Sequence, residues 1–94
     1  MKVRVKLFGV LYELVGSFKV ELDVPNDTTI RGLIGILAQT FNPKITDVLL
    51  DNEGKLRGDY AVLINGKAIE WVNGLDTRLS DGDEVVILPP AEGG

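Results

Sequence analysis

A two-layer α+β domain, with one main helix lying across a five-stranded sheet, is the fold class this sequence predicts. Three observations carry the prediction. Two early segments alternate apolar and polar residues with period two, and a middle segment repeats apolar residues at helical spacing. Three more strand-like segments then follow, two of them joined by Asn65-Gly66. Ninety-four residues suffice for one such core and not for two.

The first segment sets Val3, Val5 and Leu7 against Lys2, Arg4 and Lys6, the pattern of a half-buried strand, and Gly9 ends it. Val10 to Val15 reads as a short apolar connection closed by Gly16. From Ser17 to Val24 the alternation returns, with Phe18, Val20, Leu22 and Val24 on one side and Lys19, Glu21 and Asp23 on the other. Two alternating strands with so short a connection pair antiparallel. Pro25-Asn26-Asp27 breaks the second strand, and Thr28 or Thr29 can cap a helix. Ile30, Leu33, Ile34, Leu37 and Phe41 then form one apolar stripe. Gly32 and Gly35 each weaken that helix by roughly 1 kcal/mol relative to Ala, so docking on the sheet must hold it. Asn42-Pro43 stops it.

Lys44 to Leu50 is open between one helical turn and an extended piece, and residues 51–59 form a polar loop. Tyr60 to Ile64 is apolar throughout and reads as a strand. Asn65-Gly66 fits a type I′ hairpin turn, whose two central residues need positive φ, and Lys67 to Glu70 returns as the partner strand. Trp71 to Leu79 is a longer connection, with Trp71 expected at the rim or in the core. Ser80-Asp81-Gly82-Asp83 turns the chain into Glu84 to Leu88, and Pro89-Pro90 ends that strand. The order strand, strand, helix, strand, strand, strand suits a β-grasp arrangement, a mixed sheet whose last strand lies beside the first. Residues 1–90 form this domain and 91–94 a flexible C-terminal tail ending in Gly-Gly.

Composition narrows the chemistry. With no Cys there is no disulfide scaffold, thiolate metal site or cysteine nucleophile, and with no His there is no Ser-His-Asp triad. A net charge of -4 has the wrong sign for nucleic acid or an anionic membrane, so neither is expected as a partner. Apolar runs of about five residues are far short of a membrane span, and the alternating Met1 to Lys6 is unlike a signal peptide. The expected location is cytoplasmic. Asp81-Gly82-Asp83 lacks the ligand series of a calcium loop, and Asp47, Asp51, Glu53 and Asp59 read as solvated loop surface, so no metal site is expected.

Two features point to function. The first is Gly93-Gly94 beyond the proline stop. It reads either as a frayed chain end or as an arm of up to about 14 Å, and the preceding strand, proline stop and domain order favour the arm. Glycines lack a Cβ and can thread a channel closed to other residues. The reactive group would be the Gly94 α-carboxylate, a poor acyl donor until ATP and a separate enzyme convert it to an adenylate or thioester. The second feature is that Tyr60 to Ile64 and Val85 to Leu88 do not alternate. If Val85 and Ile87 face the helix, Val86 and Leu88 face outward, and Phe8 joins them. That face is either an exposed partner site or central-strand packing covered by loops.

The chain resembles the MoaD family, the small sulfur carrier subunits of molybdopterin synthase. The resemblance covers nearly the whole sequence. It includes Val5 to Phe8, the Thr29-to-Leu37 helix, Leu63-Ile64-Asn65-Gly66, Leu79 to Val85, and the closing Pro89-Pro90-Ala91-Glu92-Gly93-Gly94. It implies the ubiquitin-like β-grasp fold and a carrier that performs no catalysis alone. An adenylating partner similar to MoeB would use Mg and ATP to activate Gly94, and a sulfur donor would convert it to a thiocarboxylate. A large synthase subunit similar to MoaE would then hold the tail while sulfur passes to the pterin precursor of the molybdenum or tungsten cofactor. The chain itself would bind no cofactor. Gly93 would allow passage, Pro89, Pro90, Ala91 and Glu92 would direct the tail, and Phe8, Val86 and Leu88 would dock the partner. Ala91-Glu92 departs from the usual Pro-Pro-Val-Ser/Thr-Gly-Gly ending and leaves partner choice open. The alternative is a ubiquitin-like modifier that joins Gly94 to target-protein lysines. A stand-alone β-grasp binding module without acyl chemistry is a third reading.

Overall fold

In the computed structural model, which describes residues 1–90, the strands are β1 (Lys2–Leu7), β2 (Lys19–Asp23), β3 (Ala61–Ile64), β4 (Lys67–Ala68) and β5 (Glu84–Leu88). The helices are α1 (Val10–Val15), α2 (Ile30–Thr40) and α3 (Lys44–Leu49). The sheet order is β2-β1-β5-β3-β4. β1 and β5 run parallel, and the other neighbouring pairs are antiparallel. The last strand therefore lies beside the first in a mixed sheet, the expected β-grasp order. The expected flexible tail, residues 91–94, lies outside the described residues.

The core forms where the strand alternation meets the helical stripe. Val3, Val5 and Leu7 of β1, Val62 and Ile64 of β3, and Val85 and Ile87 of β5 are buried, as are Ile30, Leu33, Ile34 and Leu37 of α2. Thr29 caps α2, its hydroxyl accepting from the Gly32 N–H at 3.1 Å. Thr28, the other cap expected, instead donates its hydroxyl to the Pro25 carbonyl. Phe41, expected to close the apolar stripe, is the C-cap residue and stands exposed.

Three segments differ from the sequence expectation or settle an open one. The apolar connection at Val10 to Val15 is a helix. Gly9 at φ 65 and Gly16 at φ 85 bracket it, and Leu11 anchors it in the core. Positive φ at both ends is what lets so short a helix enter and leave abruptly. Lys44 to Leu49 is also helical, because Ile45 and Leu49, four residues apart, are both buried. β4 ends after Ala68, earlier than Glu70, where a 3₁₀ turn at Ile69–Trp71 carries Ile69 into the core. The same turn leaves Trp71 81% exposed, so of the two places foreseen for it the core is excluded.

The two turns at the far end of the sheet from Pro89 are tied together. Asn65 at φ 50 and Gly66 at φ 84 make the expected tight turn. The Asn65 amide donates to Asp83 Oδ1 at 2.8 Å, and its oxygen accepts from the Glu84 N–H at 2.9 Å. Asp83 Oδ2 accepts from the Ser80 N–H, and Asp81 Oδ1 from the Lys2 N–H. Asp81 and Asp83 therefore satisfy backbone donors in turns, as the sequence suggested. Among the described residues no helix is long and apolar enough to cross a membrane.

Candidate functional site: the tail root and the outer sheet face

Alternation sends every second residue of the sheet away from the helices. On this outer face the cross-strand register lines up Lys6, Val86, Leu63 and Ala68 in one row and Leu88 with Ala61 in the next. Phe8 follows β1 beside that row. Val86 and Phe8 are half-buried, and Leu88 is 37% exposed. The three residues expected to form an apolar face are thus neighbours on the helix-free side, and Leu63, Ala61 and Ala68 extend the patch. The alternative of coverage by loops does not describe Leu88.

The chain leaves the sheet at the end of this patch, directly after its last row. Pro89 and Pro90 follow Leu88 directly, half-buried, and Pro89 packs against Gly9. Ala91, Glu92, Gly93 and Gly94 lie outside the described residues. Near the same end, Phe8 lies 6.2 Å from Phe18, and Phe18 stacks on Tyr12 with ring centroids 4.0 Å apart. Sequence reasoning placed Phe18 with Val20 and Leu22 and missed this aromatic group, because Tyr12 is positioned by a helix that had been read as a connection.

Charge is arranged around the patch. Lys6 pairs with Glu84 at 3.4 Å, partly covered, and Lys2 with Glu21 at 3.5 Å, largely solvated, both on the outer face; solvated pairs of this kind contribute about 0–1 kcal/mol. Lys6 and Lys19 face each other across β1 and β2. The shifted titrations lie elsewhere, in the loop before β3. The backbone N–H groups of Lys55 and Glu53 hold the Asp51 carboxyl below its ordinary range. Burial, with Asp59 adding to it, pushes the Tyr60 phenol up. Asp51 thereby closes its own loop, and that loop is latched to α2 by Arg31, which donates to the Gly54 carbonyl. Among the described residues no cluster of three or more Asp and Glu could hold a metal ion. What the arrangement offers is an apolar outer face at whose margin the chain leaves the sheet.

A model of the ThiS family matches residues 5–94. A putative sulfur carrier protein of Archaeoglobus fulgidus is 33% identical over 66 residues, covering 70% of this chain and 74% of its own. The crystal structure of small archaeal modifier protein 1 from Haloferax volcanii superposes with a TM-score of 0.83 at 31% identity, covering both chains completely. A putative molybdopterin converting factor, subunit 1, from Pyrococcus furiosus gives a TM-score of 0.73 at 25% identity, covering 97% of this chain and 99% of that one.

Proposed function

The chain belongs to the ThiS family of ubiquitin-like sulfur carriers, and from that premise we propose that it carries sulfur on the Gly94 carboxylate for assembly of the molybdopterin or tungstopterin cofactor. The observation that carries this reading is the departure of Pro89-Pro90 from the end of the central strand, directly beyond the last row of an apolar outer face. A partner seated on Phe8, Val86 and Leu88 is thereby already beside the start of the segment that ends in Gly93-Gly94. The likeness to the Pyrococcus furiosus molybdopterin converting factor subunit supports the choice of acceptor.

In this reading an adenylating enzyme similar to MoeB docks first. A Gly94 carboxylate oxygen attacks the α-phosphorus of its Mg-bound ATP, and pyrophosphate leaves. A sulfur nucleophile at the oxidation level of hydrosulfide then attacks the acyl carbon and displaces AMP, leaving a thiocarboxylate. A large subunit similar to MoaE next receives the tail, and the sulfur passes to the pterin precursor while water restores the carboxylate. The chain's own residues bind, aim and present. Gly93 supplies a backbone without a Cβ for passage through a narrow channel, and Glu92 requires a partner that pairs or solvates its charge near the acyl group.

A second reading has its own support: small archaeal modifier protein 1 matches along the full chain. As a modifier, the chain would pass the Gly94 acyl group from AMP to a lysine amine and form an isopeptide bond. The test is incubation with an adenylating enzyme, ATP and a sulfide source, followed by intact mass. A gain equal to sulfur replacing oxygen, absent when Gly94 is deleted, is the expected result. Diglycine remnants on lysines of other proteins, without that gain, would favour the modifier. Unimpaired cofactor synthesis in cells carrying only the Gly94 deletion would overturn the sulfur-carrier reading, and unchanged lysine conjugation in those cells would overturn the modifier reading.

A further inference from the structure

The edge strand β2 carries an inference independent of the tail. Its hydrogen-bonding parity is fixed at both ends. The Leu7 N–H donates to the Phe18 carbonyl at 2.8 Å, and Met1 and Val24 exchange bonds at 2.9 Å. Residues 18, 20, 22 and 24 therefore direct their backbone groups at β1, while Lys19, Glu21 and Asp23 direct theirs outward, away from the sheet. On that edge the Ser17 hydroxyl occupies the Lys19 groups, accepting from its N–H at 3.3 Å and donating to its carbonyl at 2.9 Å. Glu21 and Asp23 present an open ladder, the usual template for another strand.

The side chains select which strand. We propose that the partner is a second copy of this chain, adding its own β2 antiparallel about a two-fold axis at Val20. In that register Lys19 lies opposite the partner copy's Glu21 twice, once on each side of the axis, and the Lys19 N–H and carbonyl exchange the Ser17 hydroxyl for the backbone groups of Glu21. Val20 faces Val20, and Phe18 faces Leu22. The contacts add to what the isolated chain provides, in which Glu21 already pairs with Lys2 and one face of Phe18 already stacks on Tyr12. Lys19, which across β1 faces only the like charge of Lys6, gains an acid directly opposite. Val20 and Leu22 are half-buried and Phe18 is 55% exposed; all three would be covered on the helix side.

Neighbouring registers are poorer. An axis at Glu21 also brings Lys19 opposite Asp23 twice, but it sets Glu21 against Glu21 on the axis itself. An axis at Leu22 sets Glu21 against Asp23 and brings Lys19 opposite Pro25, which has no N–H to give. The pairing makes one sheet of ten strands and leaves Val86 and Leu88 uncovered, because β5 is two strands inward from this edge. An interface of one strand pair is small, so association is weak and concentration-dependent.

Sedimentation equilibrium of the full chain tests this at concentrations up to about 1 mM, where an interface of this size is populated. The average mass should climb from 10.2 kDa toward twice that value. Lys19→Glu and Glu21→Lys should each weaken association by about tenfold or more, since each places like charges opposite one another twice. The double variant restores opposite charges and should recover it. Glu21→Pro removes an outward N–H that β1 does not use, a position where an edge strand accepts proline, and should leave a folded monomer. Ser17→Ala, which frees the Lys19 groups, should tighten the dimer. A mass fixed at 10.2 kDa at every concentration overturns the proposal. So does a dimer indifferent to Glu21→Pro and to the charge reversals.

Discussion

Gly9 and Pro89 are packed so closely that a β-carbon on Gly9 would stand 3.2 Å from both Cβ and Cγ of the proline ring. Gly9 also holds φ 65 and ψ -136, a region that side-chain-bearing residues avoid. The end of β1 thus forms a backbone bed for the first residue of the departing segment. Gly9→Ala should lower stability by about 1–3 kcal/mol, measured by denaturant titration. Under the proposed sulfur-carrier reading, in which Pro89 directs the tail, it should slow adenylation of Gly94 more than the same loss of stability introduced in α2 does.

The two glycines of α2 make a controlled pair. A β-carbon on Gly35 meets nothing within 4 Å, whereas on Gly32 it would lie 3.3 Å from Thr28 Cγ2 and 3.5 Å from the Thr29 hydroxyl. Gly35→Ala should therefore stabilise by about 0.5–1 kcal/mol, the helix-propensity gain. Gly32→Ala should deliver less, or destabilise, because Thr29 is the cap of that helix. Equal gains at the two sites, read from thermal melts, would contradict this account.

On the outer face, Val86→Asp should cost about 1 kcal/mol or less, and Val85→Asp one residue earlier about 4 kcal/mol or more, since the second buries an unpaired carboxylate. Circular dichroism melts separate the two. With the fold retained, Val86→Asp should weaken binding of the adenylating enzyme in titration calorimetry. A Val86→Asp variant that unfolds would show the position to be core.

The Asp51 loop predicts a pH dependence. Its carboxyl is held low by the N–H groups of Lys55 and Glu53, so the folded chain binds its proton less readily than the unfolded one. The resulting stabilisation is complete above the unfolded value of about 3.9 and is lost as pH falls through the lower folded value. The stability difference between the wild type and Asp51→Asn should be flat near neutrality and shrink only in acid. A difference that instead changed between neutral and alkaline pH would exclude this cause.

Much of the fold was legible because most elements carry their own period. Val3-Val5-Leu7 and the α2 stripe name the faces they bury, and Asn65-Gly66 names its turn. What escaped is what neighbours decide. α1 has six residues and no side-chain cap, so only the burial of Leu11 between two glycines makes it a helix. β4 stops at Ala68 because the core claims Ile69, which no local pattern announces. For the site, the apolar Val86 and Leu88 were visible where alternation should have made them polar. Tyr12 on Phe18 was not, since their contact needs the tertiary path of the intervening chain.

The place of β5 between β1 and β3 has a further consequence, for biosynthesis. β5, the latest in chain order of the five strands, is the central one, so the sheet remains two separate hairpins until residues 84–88 have emerged. A chain broken before that point leaves the facing edges of β1 and β3 without their common neighbour, the kind of exposed edge that invites aggregation and proteolysis. Folding thus acts as a check on synthesis: a chain that has closed its sheet has been translated at least through Leu88.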